Sequence, residues 1–200
     1  MKRIIVLLLS LVLLIQLAAC SDKDEASSSG AVSQTDTPKA EMIISENEYY
    51  KIFSSDYMYA YCIYNSKGEE VKRVESSTAM PIITQTDDNL LRVTTQGGTG
   101  IGTQSGYYYD IENDIFSKTF RCIFDEHNGK VLHCVSYDTV AVSDIFGDAY
   151  YYEITGFSKP FADSAFPIVD AEFISDGKEV KITYMTGEDY EETTDVFKIK

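Results

Sequence analysis

From about residue 41 onward the chain consists of short runs in which apolar and polar positions alternate, rich in Tyr, Val, Ile, Phe and Thr and broken by Gly, Asn and Asp. A period of two puts every second side chain on one face, the pattern of a strand with one buried side. Strands are predicted over 57–64, 70–75, 81–85, 90–95, 106–111, 118–124, 130–137, 139–145, 150–155, 168–174, 179–185 and 194–199. Between several of them Ser66-Lys67-Gly68, Asn128-Gly129 and Asp176-Gly177 supply residues that accept the positive φ of tight hairpins. No amphipathic helix longer than two turns is predicted. The expectation is a single all-β domain over 41–200 with roughly 10–12 antiparallel strands.

An internal echo refines that picture. Tyr49-Tyr50-Lys51-Ile52 recurs as Tyr108-Tyr109-Asp110-Ile111 and as Tyr151-Tyr152-Glu153-Ile154, and Cys62-Ile63-Tyr64-Asn65 recurs as Cys122-Ile123-Phe124-Asp125. Steps of roughly 40 to 60 residues holding about four strands resemble the blades of a β-propeller. Tyr109-Asp110-Ile111 also resembles the aromatic-Asp ending of a blade strand. Three copies fall short of a closed ring, so the expectation is an irregular or partial propeller-like meander, with a two-sheet β-sandwich as the alternative.

The first forty residues are of another kind. Lys2 and Arg3 precede an apolar run over 4–15 interrupted only by Ser10, then Leu17-Ala18-Ala19-Cys20. A basic start, a short apolar core and small residues are the parts of a signal peptide, and the core is too short for a permanent span. Leu17-Ala18-Ala19-Cys20 resembles the lipobox of bacterial lipoproteins. The resemblance implies removal of 1–19 by cleavage between Ala19 and Cys20, and acylation of the Cys20 thiol. It also implies a location on the extracytoplasmic face of a cell membrane, with membrane lipid as a partner through that cysteine. Residues 21–40 are small and polar without an aromatic and suit a flexible tether reaching about 25 Å. Further on, Val142-Ser143-Asp144-Ile145-Phe146 and the stretch 181–192 resemble surface lipoproteins of Gram-positive bacteria. That resemblance implies a shared fold and address and carries no chemistry across.

Charge narrows the partners. The net charge is −15, and without Lys2 and Arg3 fifteen basic residues face 32 acidic ones, a net −17. No basic patch is on offer for nucleic acid or for anionic lipid. With Cys20 acylated, Cys62, Cys122 and Cys134 remain, an odd number. Cys122 and Cys134 fall on the two arms of the hairpin closed by Asn128-Gly129; a disulfide between them needs a register that puts both on one face, and otherwise they are small buried side chains.

Candidate chemistry is sparse. The glycines at 97, 98, 100, 102 and 106 run into Tyr107-Tyr108-Tyr109 and not into a helix, and no lysine follows, so they do not form a phosphate loop. Gly98, Gly100 and Gly102 instead suit a bare-backbone connection that another segment approaches closely or that lines a ligand site. Asp110, Glu112, Asn113 and Asp114 mimic a calcium loop, but Ile115 and Arg121 stand where glycine and glutamate belong. The two histidines, His127 and His133, lack ligands at zinc spacing and a serine elbow, so neither a metal, a cofactor nor a catalytic residue is assigned. Fifteen Tyr and no Trp make Tyr107, Tyr108 and Tyr109, together with the glycines, the candidate contact surface, since alternation sends at least one ring outward. The leading expectation is a non-catalytic binding or accessory module for an envelope protein or glycan. The alternatives are a surface hydrolase with dispersed carboxylates and a structural or inhibitory protein that pairs through a strand edge.

Overall fold

Strand β14, Glu179–Thr186, has Val180, Ile182, Tyr184 and Thr186 buried while the residues between them are only partly covered, which is the period-two pattern in its plainest form. The computed structural model describes residues 41–98 and 101–199, so the signal peptide, Cys20, the tether and Gly100 lie outside the described residues. Those described belong to one compact unit, Lys39–Lys200. It is all-β, with three antiparallel sheets and a single three-residue 3-10 turn, Ile101–Thr103.

The first sheet is a meander of β1 (Met42–Glu46), β2 (Tyr50–Ser55), β3 (Met58–Tyr64) and β4 (Glu70–Ser77). The second contains β5 (Pro81–Asp87), β6 (Leu90–Gln96), β7 (Gln104–Asp110), β8 (Ile115–Phe116), β9 (Phe120–His127), β10 (Lys130–Ser136), β11 (Thr139–Asp144) and β12 (Tyr151–Ile154). The third contains β13 (Ile168–Ile174), β14 and β15 (Glu191–Lys198). The fifteen strands among the described residues exceed the number expected, because β1, β2 and the two-residue β8 carry little alternation of their own. The echo also dissolves: Tyr50, Tyr109 and Tyr152 lie on β2, β7 and β12, which hold different places in their meanders.

Turn chemistry accounts for the hairpins. Asn128 and Gly129 sit at φ 48° and 74° between β9 and β10. Between β3 and β4 the buried Asn65 accepts the N–H groups of Lys67 and Glu69, each at 3.0 Å, and so closes the turn with its own side chain.

The outer edge of β7 is divided. Ser105 and Gly106 pair with Arg121 and Phe120 of β9, whereas Tyr109 and Asp110 pair with Phe116 and Ile115 of β8. The second sheet folds over at this two-residue seam, so that Tyr108 meets Phe120, Ile123, Val131 and Ile145 in a core of its own. On the other face of β7, Tyr109 joins Leu91 and Val93 against Ile52, Tyr61 and Ile63 of the first sheet. β10 repeats the arrangement: Val131 belongs to the middle core, and Leu132 packs with Val140, Val142, Val180, Ile182 and Tyr184. Sheets and cores therefore alternate in layers, and the inner strands are covered on both faces.

Gly106 stands where the layers are tightest. A Cβ there would lie 2.7 Å from the Val93 carbonyl oxygen and 2.8 Å from both Ile123 and Thr94. We expect Gly106→Ala to cost about 1–3 kcal/mol, read as a lower urea midpoint with an unchanged slope; wild-type stability would show that the seam has slack.

Candidate functional site

The three tyrosines expected to offer an outward ring are interior. Tyr108 and Tyr109 are fully buried and Tyr107 is half-buried, because alternation on a strand covered on both sides sends neighbours into two different cores. The Tyr107 hydroxyl lies 3.0 Å from that of Tyr61, and its ring carries the Lys72 ammonium 4.0 Å from the centroid. Tyr108 donates to Glu126 at 3.1 Å, which also takes Arg92 at 2.6 Å, and Tyr109 donates to Asp114 at 2.8 Å while stacking on Phe116. Burial pushes all three phenols well above the usual range, so they remain neutral hydrogen-bonding groups. They hold layers together and present no platform.

Nor do the described glycines form a cradle. At Gly102 the space a Cβ would need is filled by the Phe166 ring at 2.6 Å, and its carbonyl accepts Arg121 Nε at 3.2 Å. Gly98 lies against the Thr103 side chain. The bare backbone thus admits close packing by the chain's own segments.

Cys122 and Cys134 are free thiols, as is Cys62, and all three are buried. Cys134 pairs opposite Arg121, and Cys122 is displaced from the ladder at φ 47°. The two thiols share a hydrogen bond within the core, which together with burial pushes Cys134 up. In this structure Cys122 and Cys134 are thiols packed as small buried side chains.

Side chains that could suggest catalysis are otherwise engaged. Asp110 accepts both nitrogens of Asn113, Asp114 accepts Tyr109, and Glu112 accepts Asn89, which uses up the calcium-like acids locally. Among the described residues no group of three His, Cys, Asp or Glu could hold a metal ion. His133 donates from Nδ1 to the Cys134 carbonyl at 3.1 Å and so accepts the Ser143 hydroxyl at Nε2, 2.9 Å away. With Ser143 1% exposed, this serine-histidine pair joins β10 to β11 out of reach of a substrate. The carboxyl groups that the fold moves go down. The Arg73 guanidinium lowers Glu70 and the Ser136 hydroxyl lowers Asp138; at Asp195 burial opposes, but bonds from Ser158 and Tyr184 prevail. None of these is an acid held protonated for general-acid work.

What the surface offers lies at the tip of the β2–β3 hairpin. Ser55 pairs with Met58, so Asp56 and Tyr57 alone make the turn, at φ 48° and 67°. That is the left-handed conformation Gly and Asn fill at low cost and a bulky aromatic does not. Tyr57 is nevertheless 94% exposed, so no packing offsets the strain. Beside it is a concavity of about 390 Å³ lined by apolar Phe53, Met58 and Tyr59 and by acidic Glu41, Asp56 and Glu75, with no Lys or Arg. Met42 and Ile43 are exposed on the neighbouring β1, where they pair with Ser54 and Phe53. A second acidic tip, between β14 and β15, is more closely tied down: Tyr190 there donates to the Asp163 carbonyl at 3.2 Å. Sequence reasoning passed over Tyr57 because nothing in Ser55-Asp56-Tyr57-Met58 announces a left-handed tyrosine.

No protein-family model matches the sequence, and no curated protein matches it. Among solved structures the computationally designed Ika4 protein is similar over 90% of this chain and 100% of that one, at 12% identity and a TM-score of 0.41. Hsv2 of Kluyveromyces lactis is similar in two structures, each over 80% of this chain and 73% of that one, at 10% and 7% identity and TM-scores of 0.27 and 0.25. Likeness at this level carries no argument for fold or function.

Burial holds the His133 pKa below its ordinary 6.5, so the unfolded chain takes up a proton before the folded one does. The stability this contributes is complete above pH 6.5 and lost as pH falls through the lowered folded value. Urea denaturation between pH 8 and 5 should show that decline, and His133→Gln should flatten it; equal slopes would place the acid sensitivity elsewhere.

Proposed function

We propose that the protein is a lipid-anchored, extracytoplasmic binding module without a reaction of its own. It is joined to membrane lipid through acylated Cys20 and contacts its ligand with Tyr57 and the acidic concavity beside it. The observation that carries this reading is the exposed tyrosine held at φ 67°. Strain that folding does not need is commonly kept where function uses it. An apolar hollow rimmed by Glu41 and Glu75 suits a partner that presents a Lys or Arg side chain from an apolar surface, which favours an envelope protein over a neutral glycan. The same reading takes β1–β4, β5–β8, β9–β12 and β13–β15 as four successive blade-like meanders, propeller-like in preference to a sandwich, supported by their sequential order and by the cores shared between neighbours.

Two outcomes test the proposal. Zero-length carbodiimide coupling on intact cells should join Glu41 or Glu75 to lysines of another protein, and Tyr57→Gly should abolish those links. By relieving the turn, that variant should leave stability unchanged or raise it by up to about 1 kcal/mol. Links that persist in the variant, or a clear loss of stability, would remove Tyr57 from the site. Separately, Cys20→Ala should move the protein from the membrane fraction to the medium; retention with the membrane would contradict the lipid anchor.

A further inference from the structure

β9 leaves the regular ladder as soon as it has passed the seam. Phe120 and Arg121 pair with β7, and against β10 the strand then slips twice, so that Arg121 faces Cys134, Ile123 faces His133 and Asp125 faces Leu132. Cys122 and Phe124 are the residues passed over. Bulges so close together bend a strand sharply, and these carry β9 from β7 to the third sheet, where Asp125 accepts the Phe173 N–H.

The backbone at Cys122 is unlike any other in the strands. Among the described residues, the other non-glycine residues at positive φ, from Asp56 to Tyr190, all lie in turns between strands, whereas Cys122, at φ 47°, lies inside β9. Gly, Asn or Asp fills that conformation at least cost. Cysteine answers none of these needs and adds a thiol. That thiol is fully buried in the core that holds Leu132, Val142, Val180 and Ile182, and the thiol of Cys134 on the neighbouring strand is buried in the same core. The two are in hydrogen-bond contact.

The double slip therefore meets the condition for a disulfide between the arms of this hairpin, which is two side chains on one face of adjacent strands. Adjacent strands lie roughly 5 Å apart, within the range of about 4.4–6.8 Å that a disulfide spans between Cα atoms. Cys62 is no rival, because it lies on β3 of the first sheet and outside this core.

We propose that Cys122 and Cys134 are a disulfide-forming pair, closed by a disulfide oxidant as the chain folds, and that the bond clamps the bulge by which β9 reaches the third sheet. One thiolate of the pair attacks a sulfur of the oxidant, making a mixed disulfide and releasing one thiolate. The second cysteine loses its proton, attacks the sulfur of the first and releases the other thiolate. The pair gives up two electrons and two protons, and the oxidant leaves as two thiols. Both sulfurs are buried once the cores have closed, so exchange takes place while the β9–β10 hairpin is still open. An extracytoplasmic location supplies such an oxidant, but the pairing rests on the hairpin alone and is tested in vitro. It stands or falls separately from the lipid anchor and from Tyr57.

The test takes the Cys20→Ala chain, reduced and unfolded in urea, and dilutes it into a buffer of reduced and oxidised glutathione. Remaining thiols are alkylated, and the protein is digested without reduction for mass spectrometry. We expect the Cys122–Cys134 cross-link to exceed each pairing with Cys62 by at least about tenfold, with Cys62 alkylated. The oxidised form should unfold at a urea midpoint about 1 M above that of the reduced form, and Cys122→Ala and Cys134→Ala should each remove that difference. Should refolding fail, the native reduced protein is given oxidised glutathione in urea just below its midpoint and mapped in the same way. Three alkylated thiols after both treatments, a Cys62 bond in comparable amount, or an oxidised form no more stable than the reduced one would overturn the proposal.

Discussion

Gly106 and its strand β7 are covered on both faces and shared along one edge by two partners, and the layered architecture follows from that crowding. The chain can turn from β8 into β9 and fold the second sheet over itself only if the backbone at the seam comes within reach of Val93 and Thr94 on one side and Ile123 on the other. A side chain at that point would separate the layers. With the seam closed, Tyr108 and Tyr109 lock into different cores, and the meanders on either side acquire surfaces to pack against.

Polar ties then bind the layers where apolar contact ends. Glu126 draws Arg92 and Tyr108 together across three strands, and Asp125 accepts the Phe173 N–H at 2.8 Å and so links β9 to the third sheet. His127 rests against the turn at Gly177, where the backbone must run bare at φ 72°. Such charge-assisted bonds in partly buried settings are stronger than exposed pairs and also fix register. Together with the neutral serine-histidine pair, they account for many of the chemically suggestive side chains. What remains for recognition is peripheral: a strained tyrosine beside an acidic hollow at one hairpin tip.

Much of the fold was legible because strands such as β13 and β14 obey a strict period of two between plain turn signals such as Asp176-Gly177. Local pattern was insufficient where neighbouring layers decide the outcome. Three tyrosines in a row look like a strand with one wet face, and only the second covering layer makes Tyr108 and Tyr109 core. β1 was hidden because 42–46 adjoins a polar stretch and contributes mostly exposed side chains. The candidate site was less legible still. The left-handed turn at Tyr57 is not a property of its own residues: it depends on the pairing of Ser55 with Met58.

Native-state hydrogen exchange on the whole protein tests the central claim most directly, because it measures the opening free energy of each strand separately. If β7 and β10 are the doubly covered strands on which the layers depend, their amides will exchange only through global unfolding, while those of β1 and β15 will open at lower cost. Exchange in β7 as ready as in β1 would contradict the account, since a strand that opens alone cannot be what holds the layers together.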